Sequence, residues 1–127
     1  MSRALKFRAW DKENEEYING YDVLLRCDGS AISRYALGTL DTDMPVNVII
    51  EQYTGLKDKN GKEIYEGDIV QFGIYGRPER GYVAYADEYA SFEVYSKRGF
   101  IFGGLFGHAG TVIGNIHENP ELLGEIE

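Results

Sequence analysis

The sequence predicts a mainly β protein: a small barrel or pseudo-barrel with an SH3-like C-terminal part, extended by N-terminal β-hairpins and closed by one short C-terminal helix. Two observations point to strands. Short β-branched or alternating runs recur, such as Leu5-Lys6-Phe7-Arg8-Ala9-Trp10 and Val46-Asn47-Val48-Ile49-Ile50. Turn formers separate these runs at intervals of about eight to twelve residues, the spacing of sandwiches and barrels. The third observation is that no segment keeps a helical period over several turns.

The elements follow in order. Residues 5–10 alternate with Leu5, Phe7 and Ala9 on one face and Lys6, Arg8 and Trp10 on the other, a strand with one face buried. The polar stretch 11–16 turns the chain back into a second strand, Glu16-Tyr17-Ile18. Residues 21–27 and 31–35 form the next pair, joined by Asp28-Gly29-Ser30, and 38–45 read as a loop. The strand starting at Val46 runs on towards Tyr53. At Asn60-Gly61 a two-residue turn would set Lys59 against Lys62 and Asp58 against Glu63, two like-charge pairs. A four-residue turn, Asp58-Lys59-Asn60-Gly61, avoids this and places Asp first and Gly fourth, as type I turns prefer. Glu66-Gly67-Asp68 is a second tight turn, leading into the strand Ile69-Val70-Gln71-Phe72. Residues 73–81, with Pro78 and two arginines, read as an exposed loop. Residues 81–85 and 91–95 pair as a hairpin over 86–90, followed by strands at 100–102 and 111–116. The SH3-like part spans 65–116. Asn119 and Pro120 suit a helix start, and Gly124 ends it.

At 127 residues the chain has the size of one domain, 1–127. Its net charge of −8 favours solubility and disfavours polyanionic partners, without excluding a local patch. Lysines and acids are interleaved, as in Lys57-Asp58-Lys59. A single cysteine, Cys27, cannot form an internal disulfide and fits a reducing compartment; within the apolar run Val23-Leu24-Leu25-Arg26-Cys27 it reads as a buried thiol. The charged N-terminus does not form a secretory signal, and no run reaches the ~20 apolar residues of a membrane helix. The expected location is a cytoplasm.

Three blocks in order carry a family signature: Lys6-Phe7-Arg8-Ala9-Trp10-Asp11; the segment 52–70, reading QYTGLKDKNGKEIYEGDIV; and the segment 113–123, reading IGNIHENPELL. Together they resemble the YopX family of phage and prophage proteins. The resemblance implies a phage origin, a bacterial host cytoplasm and self-association, and carries over no catalytic residue. Physically, Gly55, Gly61 and Gly67 recur every six residues between apolar anchors, which suits backbone angles that other residues resist.

No motif points to chemistry. With Gly61 as the sixth residue of an EF-hand loop, Leu56 and Gly67 fall where carboxylates are required, so this segment is a turn. Cys27, His108 and His117 have no zinc-site spacing, and residues 103–110 lack the Lys and Ser/Thr of a P-loop. His117-Glu118-Asn119 could do acid–base work, but the turn before the last helix is its simpler role. We therefore expect no cofactor and no metal, and a binding or self-assembling module, with an enzyme of unfamiliar site ranked last. Ten tyrosines, six phenylalanines and one tryptophan suit half-buried sheets, with some left over for a recognition surface. The candidate surface residues are Arg8, Trp10, Tyr53, Tyr65, Tyr85, Tyr89, Tyr95 and His117. The expected partners are further copies of the chain or a host or phage protein. An acidic regulator of a host nucleic-acid-processing factor is the alternative. Another is nucleic-acid binding through Arg3, Lys6, Arg8, Trp10, Arg77 and Arg80.

Overall fold

The structure, a computed structural model, describes residues 4–18, 23–25, 27–28, 31–33, 48–74, 77–97, 101–104 and 110–124. Eleven strands are described: β1 (Phe7–Asp11), β2 (Glu16–Ile18), β3 (Val23–Leu25), β4 (Ala31–Ser33), β5 (Val48–Lys57), β6 (Glu63–Tyr65), β7 (Asp68–Ile74), β8 (Arg77–Ala86), β9 (Ser91–Tyr95), β10 (Ile101–Gly104) and β11 (Thr111–Asn115). Among the described residues one 3-10 turn, Pro120–Leu123, follows. The chain divides into two compact units, Lys6–Gln52 and the set Met1–Leu5 with Tyr53–Glu127. The loop expected at 38–45 and most of 103–110 lie outside the described residues.

In the Lys6–Gln52 unit, β1 pairs antiparallel with β2 and with the first half of β5, from Phe7 opposite Gln52 to Asp11 opposite Val48. The Asp11 carboxylate closes the β1–β2 loop. Its Oδ1 accepts the N–H groups of Glu13 and Asn14, and its Oδ2 accepts the Asn14 side-chain amide at 2.8 Å. The alternation expected along β1 does not hold. Ala9 and Trp10 are both buried, whereas Leu5 and Phe7 are 64% and 46% exposed. Trp10 lies opposite Tyr17, whose ring meets it edge-on at 5.0 Å, so a second face of the strand is covered. β3 and β4 form a hairpin with Leu25 opposite Ala31. Because β3 ends at Leu25, Cys27 falls in the turn beyond it and is exposed, not the buried thiol its apolar neighbours suggested.

In the second unit, the sheet order is β10-β9-β8-β7-β11, with every neighbouring pair antiparallel. The sheet curls into a half-barrel. Ile64, Val70, Phe72, Val83, Val94 and Val112 form the core, with Leu56 and Phe92 packed against it. β7 is flanked on both sides and buried on both faces: Ile69 is fully buried on the face opposite Val70 and Phe72. Of the loop expected at 73–81, the described residues 73–74 and 77–81 are instead strand, with Ile74 opposite Arg77 and Gly73 opposite Pro78. Proline lacks the N–H that an interior strand position requires. It is accommodated here because β9 pairs with β8 only from Tyr82 onward, leaving Pro78 with β7 as its described neighbour. The short C-terminal helix has the expected limits, Pro120–Leu123 with Gly124 after it, but is a 3-10 turn. Asn119 makes no side-chain cap; its Oδ1 instead accepts the Asn115 N–H at 3.3 Å.

The glycine series has a direct cause. Gly55, Gly61 and Gly67 have φ of +90°, +85° and +85°. Gly55 sits where the β5–β6 register slips, Gly61 closes the β5–β6 turn, and Gly67 joins β6 to β7. A left-handed conformation costs a residue with a Cβ about 1–2 kcal/mol. Gly67→Ala will therefore lower stability to urea by about 1–2 kcal/mol. Gly124→Ala is the control, at φ −88° with a Cβ meeting the flexible end of Lys97 at 3.3 Å and the Glu121 carbonyl at an ordinary 3.7 Å, and will stay within about 0.5 kcal/mol of the parent.

Candidate protein-binding surface

Of the large aromatic side chains exposed among the described residues, the β8–β9 hairpin carries Tyr85 and Tyr89, and Phe7 lies elsewhere. Between Tyr82 and Tyr95 the chain carries four tyrosines, Phe92 and three acids, and no lysine or arginine. The ladder sets Tyr82 opposite Tyr95 and Tyr85 opposite Phe92. The first pair stacks at 5.7 Å with its planes 21° apart; the second meets edge-on at 5.3 Å. Such cross-strand pairs are each worth about 0.5–1.5 kcal/mol, so they fix the hairpin while leaving polar edges outward. Val83 and Val94 anchor it in the core. Tyr85 is 45% exposed and Tyr89, in the loop after Ala86, 61%. That loop is closed by Tyr89 N–H donating to the Ala86 carbonyl at 3.1 Å and by Ala90 at φ +51°. Asp87 and Glu88 are exposed at its tip.

Electrostatics at this end are uniformly negative. Glu93 accepts the Ser91 hydroxyl through Oε1, while its Oε2 is buried without a hydrogen-bond donor among the described residues. Burial first, then the charges of Glu88 and Glu93, hold the Tyr95 hydroxyl above its ordinary pKa.

The other candidate residues stand elsewhere. Arg8 donates to Glu51 Oε1 at 2.8 Å and lies 4.6 Å above the Tyr17 ring, whose hydroxyl donates to the same oxygen at 2.9 Å. Glu51 is buried, so removing Arg8 would take away its guanidinium partner and leave the Tyr17 hydroxyl donating to it. Trp10 is buried beside this group. Tyr53 and Tyr65 are ladder partners with rings 5.5 Å apart, and Tyr53 is buried. His117 lies in the turn organised by Asn115, whose Oδ1 accepts the N–H groups of His117 and Glu118 and whose amide donates to Glu118 Oε1 at 2.8 Å. Three of the eight candidates, Tyr85, Tyr89 and Tyr95, thus share one hairpin. Tyr82, Glu88 and Glu93 belong with them and were not singled out in sequence; the two-residue period and the absence of basic residues from 82 to 95 were the available signals.

Among the described residues no three His, Cys, Asp or Glu side chains gather as a metal site, and no helix is long and apolar enough to cross a membrane. These features define a mainly β protein with a curled sheet and an aromatic, acidic hairpin. It matches the family model described as YopX protein over residues 6–124 and belongs to that family. It is similar to protein EF1440 from Enterococcus faecalis, known from its crystal structure. The two are 31% identical over 96% of this chain and 99% of that one, with a TM-score of 0.59. No curated protein matches the chain.

Tyr95 offers a local probe. In a titration followed through its ring carbon by NMR, Tyr95 will ionise above the ordinary tyrosine value of 10.0. Glu88→Gln will move that midpoint down. A midpoint indifferent to Glu88 would mean that the loop does not hold its carboxylate near the ring.

Proposed function

We propose that this YopX-family chain is a non-enzymatic protein-binding or self-assembling module of phage or prophage origin. It works in a bacterial cytoplasm, and its contact surface is the outer end of the β8–β9 hairpin. The observation that carries this reading is the exposure of Tyr85 and Tyr89 on a hairpin fixed from within by Val83 and Val94. Tyrosine is enriched in interface cores because its ring buries a large area at low entropic cost while its hydroxyl stays satisfied. Direct nucleic-acid binding draws less support. Arg8 is held on Glu51, Trp10 is buried, and Arg80 donates to Gln71 Oε1 and the Leu122 carbonyl. The run of acids without lysine or arginine from Tyr82 to Tyr95 favours, as a second reading, an acidic hairpin that occupies a basic groove of a host nucleic-acid enzyme.

The test compares the tagged parent with the double variant Tyr85→Ser, Tyr89→Ser, after circular dichroism shows the same fold. Each is offered its own untagged copy and a nuclease-treated bacterial extract. The parent will retain a protein in stoichiometric amount, and the variant will hold it at least about tenfold less well, the effect of losing ~1.4 kcal/mol. Equal retention by both, or retention of nothing, contradicts the reading.

A further inference from the structure

The β5–β6 tip has the opposite character to the β8–β9 tip, for a reason invisible in the sequence. Lys57-Asp58-Lys59-Asn60-Gly61-Lys62 reads as mixed charge, yet the fold sorts it. Asp58 is buried, 8% exposed, and its carboxylate accepts the N–H groups of Asn60, Lys62 and Val112 at 2.8, 2.9 and 3.0 Å. Lys57, Lys59 and Lys62 remain exposed. Lys57 lies opposite Glu63 in the ladder, so Lys59 and Lys62 supply the charge at the tip itself.

The two tips are also separated along the sheet. Lys59 N–H donates to the Gly110 carbonyl, next to Thr111, which lies opposite Gln71 and, across β7, level with Arg80. From Arg80, β8 runs six residues to Ala86, where the acidic loop begins. At about 3.3 Å per residue this is ~20 Å, well beyond a Debye length of about 8 Å. Within one copy the tips do not neutralise each other. Between copies they are complementary.

We infer that the β8–β9 tip of one copy, with Asp87, Glu88, Tyr85 and Tyr89, docks on the β5–β6 tip of a second copy through Lys59 and Lys62. The lysines meet the two carboxylates, and their stems and ammonium groups lie against the tyrosine rings, an arrangement favoured by ring quadrupoles. The contact joins two different surfaces, so it runs head to tail and each added copy leaves one free tip of each sign. The inference rests on the reading of β8–β9 as a protein-contact surface and names its occupant.

Two variants test it: Lys59→Gln with Lys62→Gln, and Asp87→Asn with Glu88→Gln, all at exposed positions. Sedimentation velocity is run on each, on their equimolar mixture and on the parent, at about 50 mM and about 500 mM salt. The parent's average mass will rise with concentration at low salt and fall back at high salt. Each variant alone will remain monomeric, with association weakened at least about tenfold. The mixture will form a 1:1 complex and nothing larger, because only one intact pair of tips remains. A parent that stays monomeric under all conditions overturns the inference, as does association that either variant leaves unchanged. If the lysine variant still associates while the Tyr85/Tyr89 variant does not, the contact surface stands and its occupant is a different one. If the tyrosine variant also associates, both readings fall together.

Discussion

The hydrogen bonds of one buried carboxylate, Asp58, organise the unit that carries both tips. Oδ1 accepts from Asn60 and Lys62 and sets the β5–β6 turn, and Oδ2 accepts from Val112, 54 positions away in sequence. Local turn and distant strand are thus joined by a single side chain. Burial alone would push this carboxyl up. The Val112, Lys62 and Asn60 amides, with the Lys62 charge, outweigh that and hold it below the usual value. A depressed folded-state pKa means that the stabilisation is complete above the unfolded value of about 3.9 and is lost as pH falls through the folded one. Hydrogen bonds to a charged group contribute about 1.5–3 kcal/mol, a large share of the margin of a small domain.

The same interaction decides what solvent sees. By turning inward, Asp58 removes the negative charge from a lysine-rich hairpin and leaves a basic tip. On β8–β9 the ladder acts in the other sense: Val83 and Val94 belong to the core, and Tyr85, Asp87, Glu88 and Tyr89 stand exposed at the loop end. In the Lys6–Gln52 unit a comparable role falls to Glu51, whose Oε1 accepts from both Arg8 and Tyr17. Each unit therefore has a buried carboxylate that satisfies the polar groups around it. In the Tyr53–Glu127 unit, glycines at positive φ allow the backbone to reach its own.

Much of this was legible in the sequence. β2 and β9 have the expected limits, and the Asp58–Gly61 turn and the three glycines take the conformations that their residue types favour. The errors have physical causes. Pro78 and two arginines suggest a loop at 73–81, but a strand position with one neighbour among the described residues tolerates a residue without an N–H. Alternation places Trp10 on the exposed face of β1, because it cannot reveal a cross-strand partner such as Tyr17. Cys27 lies just past the end of its strand, and strand ends are poorly marked in sequence. The candidate surface was only partly visible. Tyrosine content indicated the residue type, but only the register brings Tyr82 to Tyr95 and Tyr85 to Phe92. The separation of charge at Lys57-Asp58-Lys59 depends on an amide in β11 that no local pattern announces.

An ionised, buried Asp58 joins the β5–β6 turn to β11. The most direct measurement is an NMR titration of the Asp58 carboxyl carbon alongside the amide protons of Asn60, Lys62 and Val112. The account predicts a midpoint below the ordinary 3.8, with all three amide resonances moving in step with it. A midpoint at the ordinary value, with the Val112 amide unmoved while the carboxyl titrates, would contradict it.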